Sequence, residues 1–257
     1  MWTDVIDLRD FYTSSLGQVA RRMIRRQLRV LWPDVRGMRV LGLGYPVPFI
    51  LPFREEAERV VSVMPAAQGV LRWPPDARNI VALSDETELP FPDLSFDRVL
   101  LVHAVECSEQ LRPMLREIWR VLSGDGRLIA VVPNRRGIWA RTDRTPFGQG
   151  LPYSTGQLSR LLRDTMFAPM ENAGALFVPP SRRRVLLGSA SAWEQIGQRW
   201  FPGFAGVVLV EAGKQLYGAS AARDPRRRRT EHAPAIQSAS RLRVSPNAFP
   251  APADIAR

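Results

Sequence analysis

The chain has 257 residues, of which 45% are hydrophobic and 24% charged, as in an ordinary globular protein. Its single cysteine, Cys107, excludes an internal disulfide and a cysteine-based metal cluster, and its two histidines leave no conventional zinc site. The net charge of +11 is concentrated at the two ends, since residues 9–36 and 219–257 carry +5 each, and the sequence has no recognised nucleic-acid-binding motif.

The sequence gives no sign of a membrane or export segment. No apolar run approaches the about 20 residues that a membrane-spanning helix needs. The first residues, MWTDVIDLRDFY, lack the basic start and the apolar block of a secretory signal. We therefore expect a cytoplasmic protein with no membrane span and no specific nucleic-acid partner; its oligomeric state is not predicted.

An amphipathic pattern predicts one helix over residues 8–31. Its apolar side chains recur at steps of three and four, and most of its arginines fall on the opposite face. The segment 1–36 is thus expected to be a helix on the edge of the main domain, with its basic face in solvent. A role at a membrane surface or on nucleic acid is the alternative. The apolar positions are Leu8, Phe11, Tyr12, Leu16, Val19, Ala20, Met23, Ile24, Leu28 and Leu31.

From residue 38 onwards, short apolar runs alternate with amphipathic segments, which predicts parallel strands joined by right-handed helical crossovers. We expect an α/β fold over residues 37–218: a Rossmann-like, doubly wound, mostly parallel seven-stranded sheet with an antiparallel final strand. A disordered basic tail is expected over 219–257. Strands are predicted at 39–43, 59–63, 80–83, 98–102, 127–132, 170–178 and 205–211, and helices at 109–122, ended by 123–126, and at 154–166.

The most informative stretch is IVALSDETELPFPDLSFDRVLLVHAVE at residues 80–106. It resembles the class I S-adenosylmethionine-dependent methyltransferases, above all the small-molecule, type 11-like branch that reads D-x-x-x-LPF-x-x-x-SFD-x-h-x-x-x-H-h-h-E, where h is apolar. The later run RVLSGDGRLIAVVPN, at 120–134, resembles the family's passage from a helix into the fifth strand. The resemblance covers about residues 37–212. The matching positions are Asp85, Leu89–Phe91, Ser95–Asp97, His103 and Glu106.

This resemblance implies S-adenosylmethionine as cofactor and methyl transfer to an unidentified small molecule. Asp85 would lie near the adenine, where a carboxylate can accept a hydrogen bond from the exocyclic amine, with Glu86 beside it and Leu89 in the apolar wall. The alternative is that the two acids only begin a solvated loop. His103 would leave its strand at the ligand edge, as a candidate general base or as a cofactor-lining or structural residue.

The stretch MRVLGLGYPVPF, at residues 38–49, departs from the family's glycine-rich loop. Gly42 stands at the acid position and Gly44 remains, but Pro46 and Pro48 replace glycines and remove backbone N–H donors. Either proline can begin a short helix, and Tyr45 then becomes a candidate to pack on the sulfonium.

A second departure is Met64, which stands where the family places the acid that binds the ribose hydroxyls. Methionine can only pack against adenine or ribose carbons. Both departures support an alternative interpretation, a catalytically degenerate methyltransferase-like protein with a binding or regulatory role.

Residues 133–155 mix aromatic side chains with arginines after the fifth predicted strand, where the family covers its substrate. Arg135, Trp139 and Tyr153 are therefore candidate substrate contacts, suited to an apolar substrate with an acidic end. The alternative is an ordinary surface loop. No metal site is expected.

Overall fold

One seven-stranded sheet forms the centre of the computed structural model, which describes residues 4–216 with the exception of residue 182. The strands lie in the order β3-β2-β1-β4-β5-β7-β6. β7 runs in the direction opposite to the other six strands of this sheet. The predicted sheet with an antiparallel final strand is therefore confirmed. The strands are β1 (Arg39–Gly44), β2 (Arg59–Pro65), β3 (Val81–Ser84), β4 (Phe96–Val102), β5 (Leu122–Pro133), β6 (Phe167–Ala175) and β7 (Val207–Lys214).

Helices cover both faces of this sheet. Alternate side chains of one strand enter different cores: Leu100 of β4 packs with the N-terminal helices, whereas Leu101 packs with the two helices of the opposite face. Burial on both faces explains why β1 and β4 are almost continuously apolar. The helices are α1 (Val5–Thr13), α2 (Ser15–Leu31), α3 (Val47–Ile50), α4 (Leu111–Val121), α5 (Thr155–Asp164), α6 (Arg184–Gly188) and α7 (Ala190–Trp200). Within the described residues, every helix is too short or too polar to cross a bilayer.

Two sequence-predicted boundaries differ from the structure. The run SGDG at 123–126 does not form a turn after α4, because Leu122 already has extended backbone and pairs with Phe96 as the first residue of β5. The strand predicted at 170–178 lies at Phe167–Ala175, where it pairs with β7. In both places, strand pairing outweighs the local preference of the sequence.

The N-terminal segment is two helices, so the predicted single helix over 8–31 is wrong. Ser14 has extended backbone, and its hydroxyl accepts the N–H of Gly17 at 3.1 Å as the N-cap of α2. The two helices pack so closely here that a Cβ at Gly17 would lie 1.9 Å from the carbonyl oxygen of Phe11. The apolar stripe continues across the break, which is why its period did not reveal it.

The second helix is anchored to the sheet rather than lying loosely at its edge. The indole N–H of Trp32, just after α2, donates to the buried carboxylate of Glu211 in β7 at 3.1 Å. Arg29 forms a bidentate ion pair with Glu56, with N–O distances of 2.7 and 2.8 Å. The N-terminal helices are therefore part of the same compact unit as the sheet. The tail predicted at 219–257 lies outside the described residues.

One buried carboxylate makes the stability of this fold depend on pH. Glu194 of α7 is 2% exposed, and its Oε1 accepts the N–H of Phe177 at 2.8 Å. Its Oε2 has no hydrogen-bond partner among the described residues. Burial raises the pKa of Glu194 to about 7, so the folded protein retains a proton that the unfolded chain releases near pH 4.5.

We expect the free energy of unfolding to fall by about 1.4 kcal/mol for each pH unit between these two pKa values because of Glu194. Glu194→Gln keeps the oxygen that accepts the Phe177 N–H and cannot ionise. The stability of this variant relative to wild type should therefore rise from pH 5 to pH 7 and then level off, as measured by urea unfolding. A difference that does not change with pH would contradict this account.

Candidate functional site

The carboxyl ends of β1 and β4 are joined to each other. Gly44 has φ +90°, and a Cβ on it would lie 2.2 Å from the carbonyl oxygen of Val102. The next residue, Tyr45, donates its N–H to that same oxygen at 2.7 Å. Only glycine permits this conformation and this approach. A contact within the chain, and not the approach of a ligand, thus explains why position 44 requires glycine.

The proline-containing loop after β1 is packed rather than open. A Cβ at Gly42 would lie 2.5 Å from Cγ of Pro46, so the ring of Pro46 fills the space beside this glycine. Pro46 is the N-cap of α3 and Pro48 lies in its first turn, which confirms that a proline begins a short helix here. Arg25 of α2 fixes the turn by donating to the carbonyl of Pro48 at 2.6 Å. The loop therefore offers closely packed side chains where the family pattern has bare backbone.

Three buried side chains form a hydrogen-bonded chain at this edge. The Tyr12 hydroxyl of α1 lies 2.7 Å from Nε2 of His103, and Nδ1 of His103 lies 3.1 Å from Oε1 of Glu106. With Glu106 ionised and the imidazole neutral, Nδ1 donates to the carboxylate and Nε2 accepts the phenolic proton. His103 also has φ +51°, a left-handed conformation that is rare outside glycine and is found at functional sites.

Aromatic rings enclose this hydrogen-bonded chain. The Tyr12 ring stacks on Tyr45 with 6.0 Å between centroids and meets the edge of Phe49 at 5.3 Å. The His103 ring lies 5.2 Å from Phe147, and the side-chain amide of Gln68 donates to the His103 carbonyl. Tyr45 and His103 are consequently buried by the protein's own side chains.

Burial favours the neutral, protonated forms of the Tyr12 and Tyr45 hydroxyls and of the Cys107 thiol. Burial, reinforced by the Glu106 carboxylate, raises the pKa of Tyr12 well above its usual value of 10. Burial raises the pKa of Tyr45 to about 12 and that of the Cys107 thiol above its ordinary range. Cys107 is therefore a poor nucleophile.

A second part of the site is open to solvent. Beyond the carboxyl ends of β2 and β3 lies a pocket of about 220 Å³. Asp85 accepts the N–H and the hydroxyl of Thr87 on one oxygen at 2.8 and 2.7 Å, and these hydrogen bonds lower its pKa. Glu86 accepts the Ser108 hydroxyl, and burial raises the Glu86 pKa. The pocket thus presents carboxylate acceptors. It is lined by Pro65, Ala66, Ala67, Asp85, Glu86, Glu109 and Gln110.

Two other sequence-predicted cofactor residues belong to the core. Met64 is 1% exposed, and its sulfur lies 3.5 Å from the N–H of Leu71. Leu89 is buried in the cluster on the α4 side, and its N–H donates to Glu117. As arranged here, neither side chain faces the pocket beside Asp85.

The predicted substrate cover over 133–155 is divided between core and solvent. Trp139 is fully buried and donates its indole N–H to the carbonyl of Val178 at 2.8 Å, so it is a core residue rather than a free substrate contact. Arg135 is exposed, and the backbone of Tyr153 pairs with Pro133 and Arg135. The apolar rings of Trp139 and Phe147 are buried by the hydrophobic effect and Tyr153 is partly buried, whereas the arginines remain hydrated. The three candidates therefore do not form one surface.

Sequence reasoning missed two residues that touch His103. Tyr12 lies on an apolar helical stripe and reads as core, and nothing local indicates a partner 91 residues away. Gln68 follows β2 in a short loop, where an isolated amide carries no motif. Glu106 belongs to the H-h-h-E pattern, and its three-residue spacing from His103 is the signal that could assign it as a partner of the imidazole.

Comparison with known proteins agrees with this architecture. Residues 44–130, from the end of β1 into β5, match a family model described as a methyltransferase domain. No curated protein sequence matches the chain.

Several solved structures share the fold. A SAM-dependent methyltransferase from Thermotoga maritima, described as a possible histamine N-methyltransferase, is 17% identical over 82% of this chain and 96% of its own, with a TM-score of 0.58. The 1,6-didemethyltoxoflavin-N1-methyltransferase of Burkholderia thailandensis, solved with 1,6-didemethyltoxoflavin and S-adenosylhomocysteine, is 18% identical over 82% and 84%, with a TM-score of 0.51. A SAM-dependent methyltransferase from Archaeoglobus fulgidus is 18% identical over 76% and 94%, with a TM-score of 0.53.

The burial of Met64 leads to a testable expectation. Met64→Glu would restore the acid at this position but would place a carboxylate in the core without a partner, at a cost of about 3 kcal/mol or more. We expect a lower midpoint of urea unfolding for Met64→Glu, and a midpoint near wild type for the similarly sized Met64→Leu. Equal midpoints for all three proteins would mean that position 64 opens to solvent, as a ribose-binding residue must.

Proposed function

We propose that this chain is an S-adenosylmethionine-dependent enzyme of the class I type that methylates a small molecule, since residues 44–130 match the family model of a methyltransferase domain. The observation that carries the proposal is the coincidence of that match with a carboxylate-lined pocket at the carboxyl ends of β2 and β3. In open α/β sheets, ligands bind at this edge.

The pocket suits the adenine end of S-adenosylmethionine. Asp85 has one oxygen bonded to Thr87, which leaves acceptor capacity for the exocyclic amine of adenine. A volume of about 220 Å³ is less than the roughly 300 Å³ or more of complete ligand sites. We therefore assign this pocket to the adenine end, with the remainder of the ligand directed towards Gly44, Tyr45 and His103.

The methyl donor, when bound, supplies a methyl group already activated on a sulfonium sulfur. What remains for the protein is to hold the acceptor in line and to exclude water. The aromatic enclosure of His103 supports both roles, since Phe147 lies against the imidazole and is almost completely buried.

A small acceptor is favoured over a macromolecular one. The residues around His103 are buried, which suits a molecule that can be enclosed. A protein or nucleic acid would need a broad open surface beside the reacting group. The B. thailandensis structure, solved with 1,6-didemethyltoxoflavin, also supports this assignment by analogy. We further propose a cytoplasmic location, where S-adenosylmethionine is available.

The proposal is tested by calorimetry with S-adenosylhomocysteine, the demethylated product of the donor. We expect binding to wild type and at least tenfold weaker binding to Asp85→Ala, because a charge-assisted hydrogen bond to the amine is lost. Asp125→Ala is the matched control, since Asp125 is an exposed acid at the start of β5, away from the pocket lining.

Two results would contradict these assignments. Unchanged affinity in Asp85→Ala would show that the adenine lies elsewhere. Failure of the donor and of its product to bind at millimolar concentration would overturn the enzymatic proposal, and would favour a degenerate binding protein instead.

A further inference from the structure

We propose that the buried site at His103 binds a phenol-like acceptor, and that His103 takes the proton from the acceptor hydroxyl during methyl transfer. This inference rests on the proposed function and gives it a substrate class. It is carried by Tyr12, because the structure already places one phenol in this site, hydrogen-bonded to the imidazole.

The surroundings of Tyr12 have the features of a site for an aromatic alcohol. Its ring is held by a stacked contact with Tyr45 and an edge contact with Phe49. Its hydroxyl meets Nε2 of His103 at 2.7 Å. A site that combines apolar ring contacts with one oriented acceptor distinguishes a phenol from benzene and from an aliphatic alcohol.

Glu106 makes His103 suitable as a base. The carboxylate bonded to Nδ1 orients the ring and stabilises the imidazolium that forms when Nε2 takes a proton. The second carboxylate oxygen of Glu106 is buried without a hydrogen-bond partner among the described side chains. Together with the left-handed backbone of His103, this is an arrangement that costs stability, as functional sites often do.

The proposed step breaks two bonds and forms two. The acceptor O–H bond breaks and its proton moves to Nε2 of His103. The phenolic oxygen forms a bond to the methyl carbon, and the carbon–sulfur bond of the donor breaks with its electron pair going to sulfur. The products are an aryl methyl ether, neutral S-adenosylhomocysteine and an imidazolium paired with Glu106, which then releases its proton to water.

The acceptor must displace Tyr12, which requires α1 to withdraw and to uncover the buried side chains of Val5 and Leu8. Tyr12 lies on α1, a nine-residue helix separated from α2 by the extended residue Ser14. Withdrawal of α1 therefore does not require α2 to unwind. The outer face of α1, including Ile6 and Arg9, is already exposed. In this proposal, the Tyr12 side chain occupies the acceptor site and keeps it closed until an acceptor replaces it.

Ligand replacement tests the site itself. Tyr12→Ala removes a phenol ring from an enclosed space, and small apolar cavities of this kind bind ligands of matching shape. We expect free phenol to bind Tyr12→Ala at least tenfold more tightly than benzene, which has the same ring and lacks the hydroxyl. His103→Leu in the same background should remove that preference. Calorimetry and the ligand-dependent shift in Tm are the measurements.

If Tyr12→Ala does not fold without a ligand, the measurement becomes the yield of folded protein obtained with phenol compared with the yield obtained with benzene. A ligand that binds only the folded state stabilises it. Equal effects of phenol and benzene, or no effect of either, would overturn the inference.

An assay of methyl transfer distinguishes a failure of this inference from a failure of the proposed function. With S-adenosylmethionine, Tyr12→Ala should convert phenol to anisole, and His103→Leu should slow that reaction at least 100-fold. Binding of S-adenosylhomocysteine without any preference for phenol would overturn the inference and leave the proposed function standing. A preference for phenol without binding of S-adenosylhomocysteine would overturn the proposed function and, with it, the role of His103 as a base.

A second inference rests on a different surface, the outer face of α7. Trp193, Ile196 and Trp200 are 41%, 51% and 69% exposed, and their spacing of three and four places them on one side of the helix. Phe201 and Phe204 follow the helix directly and are 57% and 63% exposed. Five large apolar side chains exposed within 12 residues mark an interaction surface rather than scattered exposure. We call these five residues the α7 stripe.

We infer that the α7 stripe docks on an anionic membrane surface. Residues 190–206 contain one exposed arginine, Arg199, and one acid, Glu194, whose raised pKa reduces its negative charge near neutral pH. The neighbouring helix α2, which packs against α7, carries five arginines and no acid. Tryptophan and phenylalanine bordered by arginine are typical of helices that lie in a lipid interface. A second copy of the chain would bring like charges together, which disfavours a dimer.

Co-sedimentation with vesicles tests this surface. We expect the full chain to bind vesicles containing phosphatidylglycerol at least tenfold more strongly than vesicles of phosphatidylcholine alone, and to release them at high salt. The double variant Trp200→Ser/Phe204→Ser should lose at least tenfold of this binding. Leu151→Ser is the control, because Leu151 is 65% exposed and lies outside the stripe.

Equal binding by the double variant and wild type would overturn the inference. A wild-type dimer that the double variant converts to a monomer in size-exclusion chromatography, with no vesicle binding by either, would assign the α7 stripe to self-association and would also overturn it.

Discussion

The hydrogen bond between Tyr45 N–H and the Val102 carbonyl holds the ends of β1 and β4 together, and the candidate site is built on it. Only glycine at position 44 lets the two strand ends approach so closely. Because β4 ends at this contact, His103 leaves the sheet in a left-handed conformation and presents its imidazole to Tyr12 of the N-terminal helix. The geometry of the imidazole is therefore set by backbone packing, and the side chains that surround it follow from that geometry.

The two halves of the site differ because the loops after β1 and β3 differ. Pro46 fills the space beside Gly42 and begins a short helix, so the β1 side is packed and apolar. The β3 side ends in Asp85 and Glu86, which border an open pocket. A closed aromatic half next to an open acidic half suits a two-part reaction site. Under the proposed function, the open half would hold the nucleoside end of the donor, and the closed half would shield the reacting atoms from water.

The motif that carries the family resemblance serves mainly to hold the fold. Asp97 of the SFD run binds both the backbone N–H and the guanidinium of Arg39, which ties the start of β4 to the start of β1. Arg120 of α4 donates to the carbonyls of Leu89 and Phe91 and so fixes the LPF turn. These charge-assisted hydrogen bonds explain why the motif indicates the architecture so well and says little about the acceptor.

The sequence by itself determined the order of strands and helices, since alternating apolar runs and amphipathic segments admit few topologies. It also placed Asp85 at the end of a strand, where ligands bind. Only the tertiary structure decided that Tyr12 meets His103 and that Trp32 meets Glu211, partners separated by 91 and 179 residues. The reason is that a hydrophobic period reports which side chains are buried but carries no information about what they are buried against. The break at Ser14 escaped notice for the same reason, because the buried stripe runs on unchanged from α1 into α2.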